Sequence, residues 1–123
     1  MRFQVPEGVS APTVATLRKY GLTAAEWLAI LRRQGGVCAI CKKVPGPAKN
    51  TGLIRFVIDH EHVRGWKRMP PMKRKLYVRG LTCWWCNSSY LGRSITAEKA
   101  RNVAKYLDAH SRRLARALGG IHG

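Results

Sequence analysis

Asp59-His60-Glu61-His62 places two carboxylates and two imidazoles in consecutive positions of a strongly basic chain. Lys plus Arg number 23 against 6 Asp plus Glu, for a formal net charge of +17 over 123 residues. A carboxylate patch amid that much positive charge is poorly explained by solubility. A hard cation explains it well, because Mg²⁺ takes one or two carboxylates and fills its other positions with water and phosphate oxygens. An imidazole beside such a metal can take a proton from water near neutral pH. Metal, base and surrounding cations are the parts needed to hydrolyse a phosphodiester. The plainer reading has Asp59 capping a turn and the histidines on the surface. It suits a lone histidine better than this cluster.

The 4 cysteines form two Cys-x-x-Cys pairs, Cys38 with Cys41 and Cys83 with Cys86. Two such knuckles supply the four thiolates of a tetrahedral structural Zn²⁺. The alternative is a set of free or redox-active thiols. Four thiolates already complete the tetrahedron, so His60 and His62 are not needed as zinc ligands.

These groups need elements to hold them. Pro12–Tyr20 suits a short helix stopped by Gly21. Thr23 and Glu26 have capping-box spacing, so a helix is expected through Trp27, Leu28 and Leu31 to Gly35-Gly36. Pro45 to Gly52 is rich in turn residues. Leu53–Ile58 and Leu76–Leu81 are rich in β-branched and aromatic residues and read as two strands. The connection from Val63 to Lys75 reads as loop, because Pro70-Pro71 breaks a helix. A helix is expected to open at Asn87–Tyr90. Thr96 can cap a last helix from about Ala97 to Leu118, with Gly119-Gly120 beyond it. Val103, Leu107, His110, Leu114 and Leu118 would form one apolar stripe on that helix. Adjacent strand residues point to opposite faces, so Asp59 and His60 can share a site only where the strand ends or kinks. That irregularity is expected within residues 59–62.

The length fits one domain, read as residues 1–123 with a core at about 20–92. The longest apolar run beside a candidate helix, Trp27–Leu31, is far below the roughly 20 residues of a membrane span. Met1–Ser10 lacks the apolar core of a secretory signal, so a reducing cytoplasm is expected. A polyanion is the expected partner of so basic a chain, and DNA leads over anionic lipid and acidic protein. The connection after the acid-histidine patch carries Arg64, Trp66, Lys67, Arg68, Lys73, Arg74 and Lys75, a combination suited to phosphate contact and base stacking. Arg79, Arg93 and the basic residues of the last helix, Arg101 to Arg116, could extend that footprint. Contacts of this kind carry little sequence information and weaken steeply with salt. Trp84 and Trp85, inside the second knuckle, are expected to pack rather than touch bases.

Tyr20-Gly21-Leu22-Thr23, Glu26-Trp27, Gln34-Gly35-Gly36-x-Cys38-x-Ile40-Cys41, Asp59-His60-x-His62 and Val78-Arg79-Gly80-Leu81-x-Cys83-x-x-Cys86-Asn87 together resemble the recombination endonuclease VII branch of the HNH, or ββα-metal, nucleases. The resemblance covers about residues 20–90. It implies an α+β fold: a small ββα-metal core stapled by a four-cysteine zinc site and flanked by N-terminal and C-terminal helices. By the same resemblance Asp59 and Asn87 ligate a catalytic Mg²⁺ or Mn²⁺, His60 is the general base, and His62 lies near the metal or the scissile phosphate. Products would carry 5′-phosphate and 3′-hydroxyl ends. Some relatives place an acid three residues after the asparagine; here that position is Tyr90, which implies a thinner metal shell or a water in that place. The family's long dimerising arm has a shorter counterpart here, so a monomeric nickase or weak homodimer is expected, with the apolar stripe serving packing within the chain or dimerisation. A phage setting in recombination or DNA packaging, with packaging proteins as partners, follows by analogy. A non-catalytic zinc module that binds nucleic acid would explain the charge and the cysteines, but not Asp59, His60, His62 and Asn87 together. A thiol–disulfide protein explains only the cysteines.

Overall fold

The computed structural model describes residues 5–92 and 94–119. They fall into two compact units, Met1–Arg93 and Ser94–Gly123. Arg93 and Gly120, named above, lie outside the described residues.

The first unit opens with α1, Val14–Tyr20. Thr13 accepts a hydrogen bond from the Thr16 amide at its start, and Gly21 closes it at φ 72° in the left-handed region. A side chain at Gly21 would strike the Pro71 carbonyl oxygen. The turn after α1 is therefore also the point where α1 meets the 63–77 connection. Helix α2, Ala24–Arg33, carries the expected capping box in both directions: Glu26 N–H donates to Thr23 Oγ1 at 3.1 Å, and Thr23 N–H donates to Glu26 Oε1 at 2.9 Å. A cap of this kind contributes about 1 kcal/mol. Its inner face buries Trp27, Leu28 and Leu31.

The sheet has two antiparallel strands, β1 at Val57–His60 and β2 at Val78–Thr82. Both start later than their apolar content suggests. Ile54 is diverted: its amide donates to Gly8 O and its carbonyl accepts from Ser10 N–H, both at 2.8 Å, so the 53–56 segment pairs toward the N-terminal stretch. Leu76 and Tyr77 belong to a 3-10 turn, Lys75–Tyr77. The connection is also more ordered than a loop. It contains a 3-10 turn at Trp66–Arg68 and one helical turn, α3, at Pro71–Arg74. Pro71 starts α3 rather than breaking it, because the first turn of a helix does not need that amide donor.

Ile58 and Leu81, paired across the hairpin, join Leu17, Leu22, Trp27, Leu28 and Leu31 in one core. Each such side chain contributes roughly 1.5–3 kcal/mol by leaving water. Gln34, just past α2, clamps this core. Its Nε2 donates to Val37 O at 2.9 Å and Leu81 O at 2.8 Å, and its Oε1 accepts from Leu81 N–H at 2.9 Å. Helix α4, Trp84–Tyr90, follows β2 directly and packs on β1, completing a β-β-α unit. It starts inside the second knuckle, earlier than expected, because Cys83 is its N-cap.

The second unit holds α5, Ala97–Gly119. Thr96 caps it, accepting from Lys99 N–H at 3.1 Å. Among the described residues no helix is long and apolar enough to cross a membrane.

Candidate active site and metal centre

The two knuckles meet. The Sγ atoms of Cys38, Cys41, Cys83 and Cys86 all lie within 4.8 Å of one another, and they form the single group of metal-ligating side chains found among the described residues. Zinc about 2.3 Å from each sulfur would set the sulfurs about 3.8 Å apart, so a small contraction closes the tetrahedron. The cluster is consistent with structural zinc. Each knuckle turns an amide onto its first sulfur: Ile40 N–H onto Cys38 Sγ and Cys86 N–H onto Cys83 Sγ, both at 3.4 Å. Burial acts to raise the Cys38 thiol, but hydrogen bonds from backbone amides outweigh it and bring the group down to about 6. Burial, with its hydrogen bonds to the other cysteines, pushes Cys86 up to about 12. A metal that needs thiolates would displace a proton from Cys86 on binding.

The knuckles also fix the hairpin. Ala39 N–H donates to Leu81 O at 3.0 Å, tying the first knuckle to β2. Cys86 and Asn87 are consecutive on α4, and Asn87 N–H donates to Cys83 O at 3.1 Å. Asn87 is half-buried on the helix that packs against the strand of Asp59 and His60.

The expected strand irregularity falls between Asp59 and His60. Asp59 pairs with Gly80, but His60 pairs with Val78, so Arg79 is the extra residue of a bulge on β2. A bulge bends its strand and re-aims the side chain there. The Arg79 guanidinium grips Asp59 in a fork, Nε to Oδ2 at 2.8 Å and Nη2 to Oδ1 at 3.0 Å. Asp59 is only 4% exposed. A carboxylate so buried needs a hydrogen-bonding partner, and Arg79 supplies it. The carboxylate in turn raises the Arg79 pKa.

His60 is enclosed by aromatic rings. It stacks on Trp66 with centroids 4.3 Å apart and on His62 at 4.8 Å with an interplanar angle of 6°; Tyr20 touches it at 5.5 Å. Burial lowers the His60 pKa. The His62, Lys19 and Arg79 charges push the same way, and Asp59 opposes them. The ring is therefore neutral at neutral pH, the state a proton acceptor requires. Burial and the Asp59 charge raise the Tyr20 hydroxyl, which keeps its proton.

The basic connection divides into two sets. Arg64, Lys67, Arg68 and Lys73 are exposed. Trp66 is buried beneath His60, so it supports the imidazole instead of offering a face to a base. Arg74 holds the connection together: it donates to Trp66 O, Lys19 O and Lys67 O and lies 4.9 Å over the Trp66 ring. Lys75 is ion-paired with Glu26. Arg79 is committed to Asp59. Trp84 and Trp85 reverse the packing expectation, since they are 71% and 57% exposed. Tyr20 and Gln34 stand in the motifs that carry the family resemblance, but the sequence assigned neither a role. The Arg79–Asp59 pair had a signal: an arginine on one strand of a hairpin near the register position of an acid on the other.

No solved structure matches this chain. Two curated relatives are both called Gene 59 protein. The one from Mycobacterium phage D29 is 40% identical over 76 residues, covering 62% of this chain and 36% of the relative. The one from Mycobacterium phage L5 is 37% identical over 76 residues, covering 62% and 37%. The chain thus matches little more than a third of the length of these relatives. The recombination endonuclease VII family matches residues 14–109, a span that takes in both knuckles, the hairpin, His60 and Asn87. A match over so much of the chain settles its place: the protein belongs to the recombination endonuclease VII family.

Proposed function

We propose that this chain is an HNH-type, metal-dependent DNA endonuclease that hydrolyses phosphodiester bonds with low sequence specificity. The observation that carries the reading is the ring-stacked His60, its pKa lowered by burial, beside a buried carboxylate on a hairpin pinned by four cysteines. Asp59 fits a hard cation by its chemistry. A carboxylate offers about four acceptor positions, and Arg79 uses two of them. With Asn87 it would hold Mg²⁺ or Mn²⁺, leaving most of the shell to water and phosphate. The metal, when bound, supplies charge stabilisation for the phosphate and the leaving oxygen.

The chain's own groups do the rest. His60 accepts a proton from the attacking water; the Trp66 and His62 rings fix its plane. His62, exposed on the outer side of that stack, contacts the phosphate or its water. Arg64, Lys67, Arg68 and Lys73 hold the DNA backbone without reading bases. One site per chain makes a monomer a nicking enzyme, and paired cuts would need a homodimer. The phage origin of the relatives supports a role in recombination or packaging of phage DNA, in the cytoplasm of a bacterial host, with packaging proteins as partners.

The test is conversion of supercoiled plasmid by zinc-loaded protein with no further metal, with Mg²⁺ and with Mn²⁺. Open circles that form only with added metal support the proposal. Tight DNA binding with no cleavage under any metal would make the chain a non-catalytic zinc module.

A further inference from the structure

We propose that a groove bounded by both cysteine knuckles takes an unpaired stretch of DNA, with Trp84 and Trp85 as the stacking platform. The proposal rests on the nuclease reading only in taking DNA as the partner. The groove has a volume of about 880 Å³, and both tryptophans line it. Trp84 and Trp85 are 71% and 57% exposed, whereas Trp27 and Trp66 are buried at 2% and 8%. Adjacent exposed indoles on one rigid helix have a purpose where flat π-faces must meet flat π-faces. Trp85 is steadied edge-on by Tyr90 at 5.3 Å. The four-cysteine cluster anchors the helix through Cys83 and Cys86.

The charge of the groove selects the occupant. Lys43 and Arg55 line it, with Asn50 and Thr51 as neutral hydrogen-bonding groups, and its lining among the described residues includes no carboxylate. Cations that hold a backbone, beside aromatic faces, form the usual site for single-stranded nucleic acid. In duplex DNA the base faces are already stacked and cannot reach an indole. The groove also leads toward the reacting centre, because Tyr20 lines it and touches His60 at 5.5 Å. Tyr20 thereby links the groove to His60.

The test titrates oligo(dT) and a duplex of equal length into zinc-loaded full-length protein without Mg²⁺, reading tryptophan fluorescence and anisotropy. Oligo(dT) should quench the two exposed indoles. Trp84→Ala/Trp85→Ala should lose about tenfold or more in oligo(dT) affinity, with duplex affinity changed less than about twofold. Trp84→Tyr/Trp85→Tyr should restore most of the loss, since tyrosine also stacks. Zinc content and circular dichroism confirm that the variants fold. Unchanged oligo(dT) affinity in the alanine variant would overturn the proposal. So would an equal loss for duplex, or a change in sedimentation alone, which would assign the face to a second copy of the chain. Plasmid cleavage read alongside separates the two claims. Cutting with tryptophan-independent binding defeats this proposal and leaves the nuclease standing. Tryptophan-dependent binding without cutting does the reverse.

Discussion

Arg79 and Asp59 form a forked ion pair across a bulge, and the pair closes over a carboxylate that is 4% exposed. The arginine satisfies by geometry the charge that a catalytic cation would satisfy. Removing it leaves a buried anion unpartnered. Arg79→Ala should therefore lose about 2–3 kcal/mol, below the figure for a fully buried pair because the Arg79 side chain is 35% exposed. Millimolar Mn²⁺ should return part of that loss and should raise the melting temperature of the variant more than that of the parent. Equal metal responses in the two proteins would argue against Asp59 as a ligand. Calorimetry of the zinc-loaded forms gives the comparison.

The acid limb of the pH–rate profile should lie below the ordinary histidine value of 6.5, because burial and neighbouring cations lower the His60 pKa. The sign for stability follows from the same shift. The unfolded chain binds the His60 proton more tightly than the native chain, so stability falls as pH drops through 6.5 toward the native value and levels off below it. Single-turnover cleavage between about pH 5 and 8 locates the limb. A limb above the ordinary histidine value would mean that the rate depends on another group.

Gly21 joins the end of α1 to α3. Gly21→Ala would force a side chain into a left-handed residue and against the Pro71 carbonyl. The left-handed conformation alone costs roughly 1–2 kcal/mol, and the collision adds to it, so a loss of at least about 2 kcal/mol is expected in urea unfolding. Because α3 follows the turn that carries Trp66, the variant should also loosen the support of His60 and lower the cleavage rate. A stability loss with full activity would separate α3 from the base.

Zinc removal should unfold the hairpin as well as the knuckles. Cys38 and Cys86 are buried, and Ala39 ties the first knuckle to Leu81. Structural zinc contributes about 10–16 kcal/mol of apparent folding energy in small zinc peptides. Cys86→Ala or a strong chelator should abolish the cooperative melt, and added Mg²⁺ should not restore it. A native-like melt without zinc would place the stability elsewhere, in the α1–α2 core.

Much of this was legible in the residues. The knuckles, the capping box and the last helix follow from spacings that impose their own geometry, so Thr23, Glu26, Thr96 and the four cysteines stand where local chemistry puts them. The strand edges were less legible, because Ile54 and Leu76 have strand character but their backbone groups find closer partners. Pro70-Pro71 misled for a related reason: a proline pair can open a helix as well as forbid one. The roles of Trp66 and Arg74 were hidden because composition does not distinguish a solvent-facing cation–aromatic set from an inward-facing one. The exposure of Trp84 and Trp85 ran against their apolar character, and only the placement of α4 reveals it.

In the proposed reaction His60 takes the proton from the attacking water. The most direct test of this step compares single-turnover plasmid cleavage by His60→Ala with that of the parent, zinc content and DNA affinity being measured on the same samples. General-base catalysis contributes about 10²–10⁴-fold. A rate loss of that size is expected, with zinc content and DNA affinity unchanged. Cleavage by the folded variant within a few-fold of the parent rate would contradict this step.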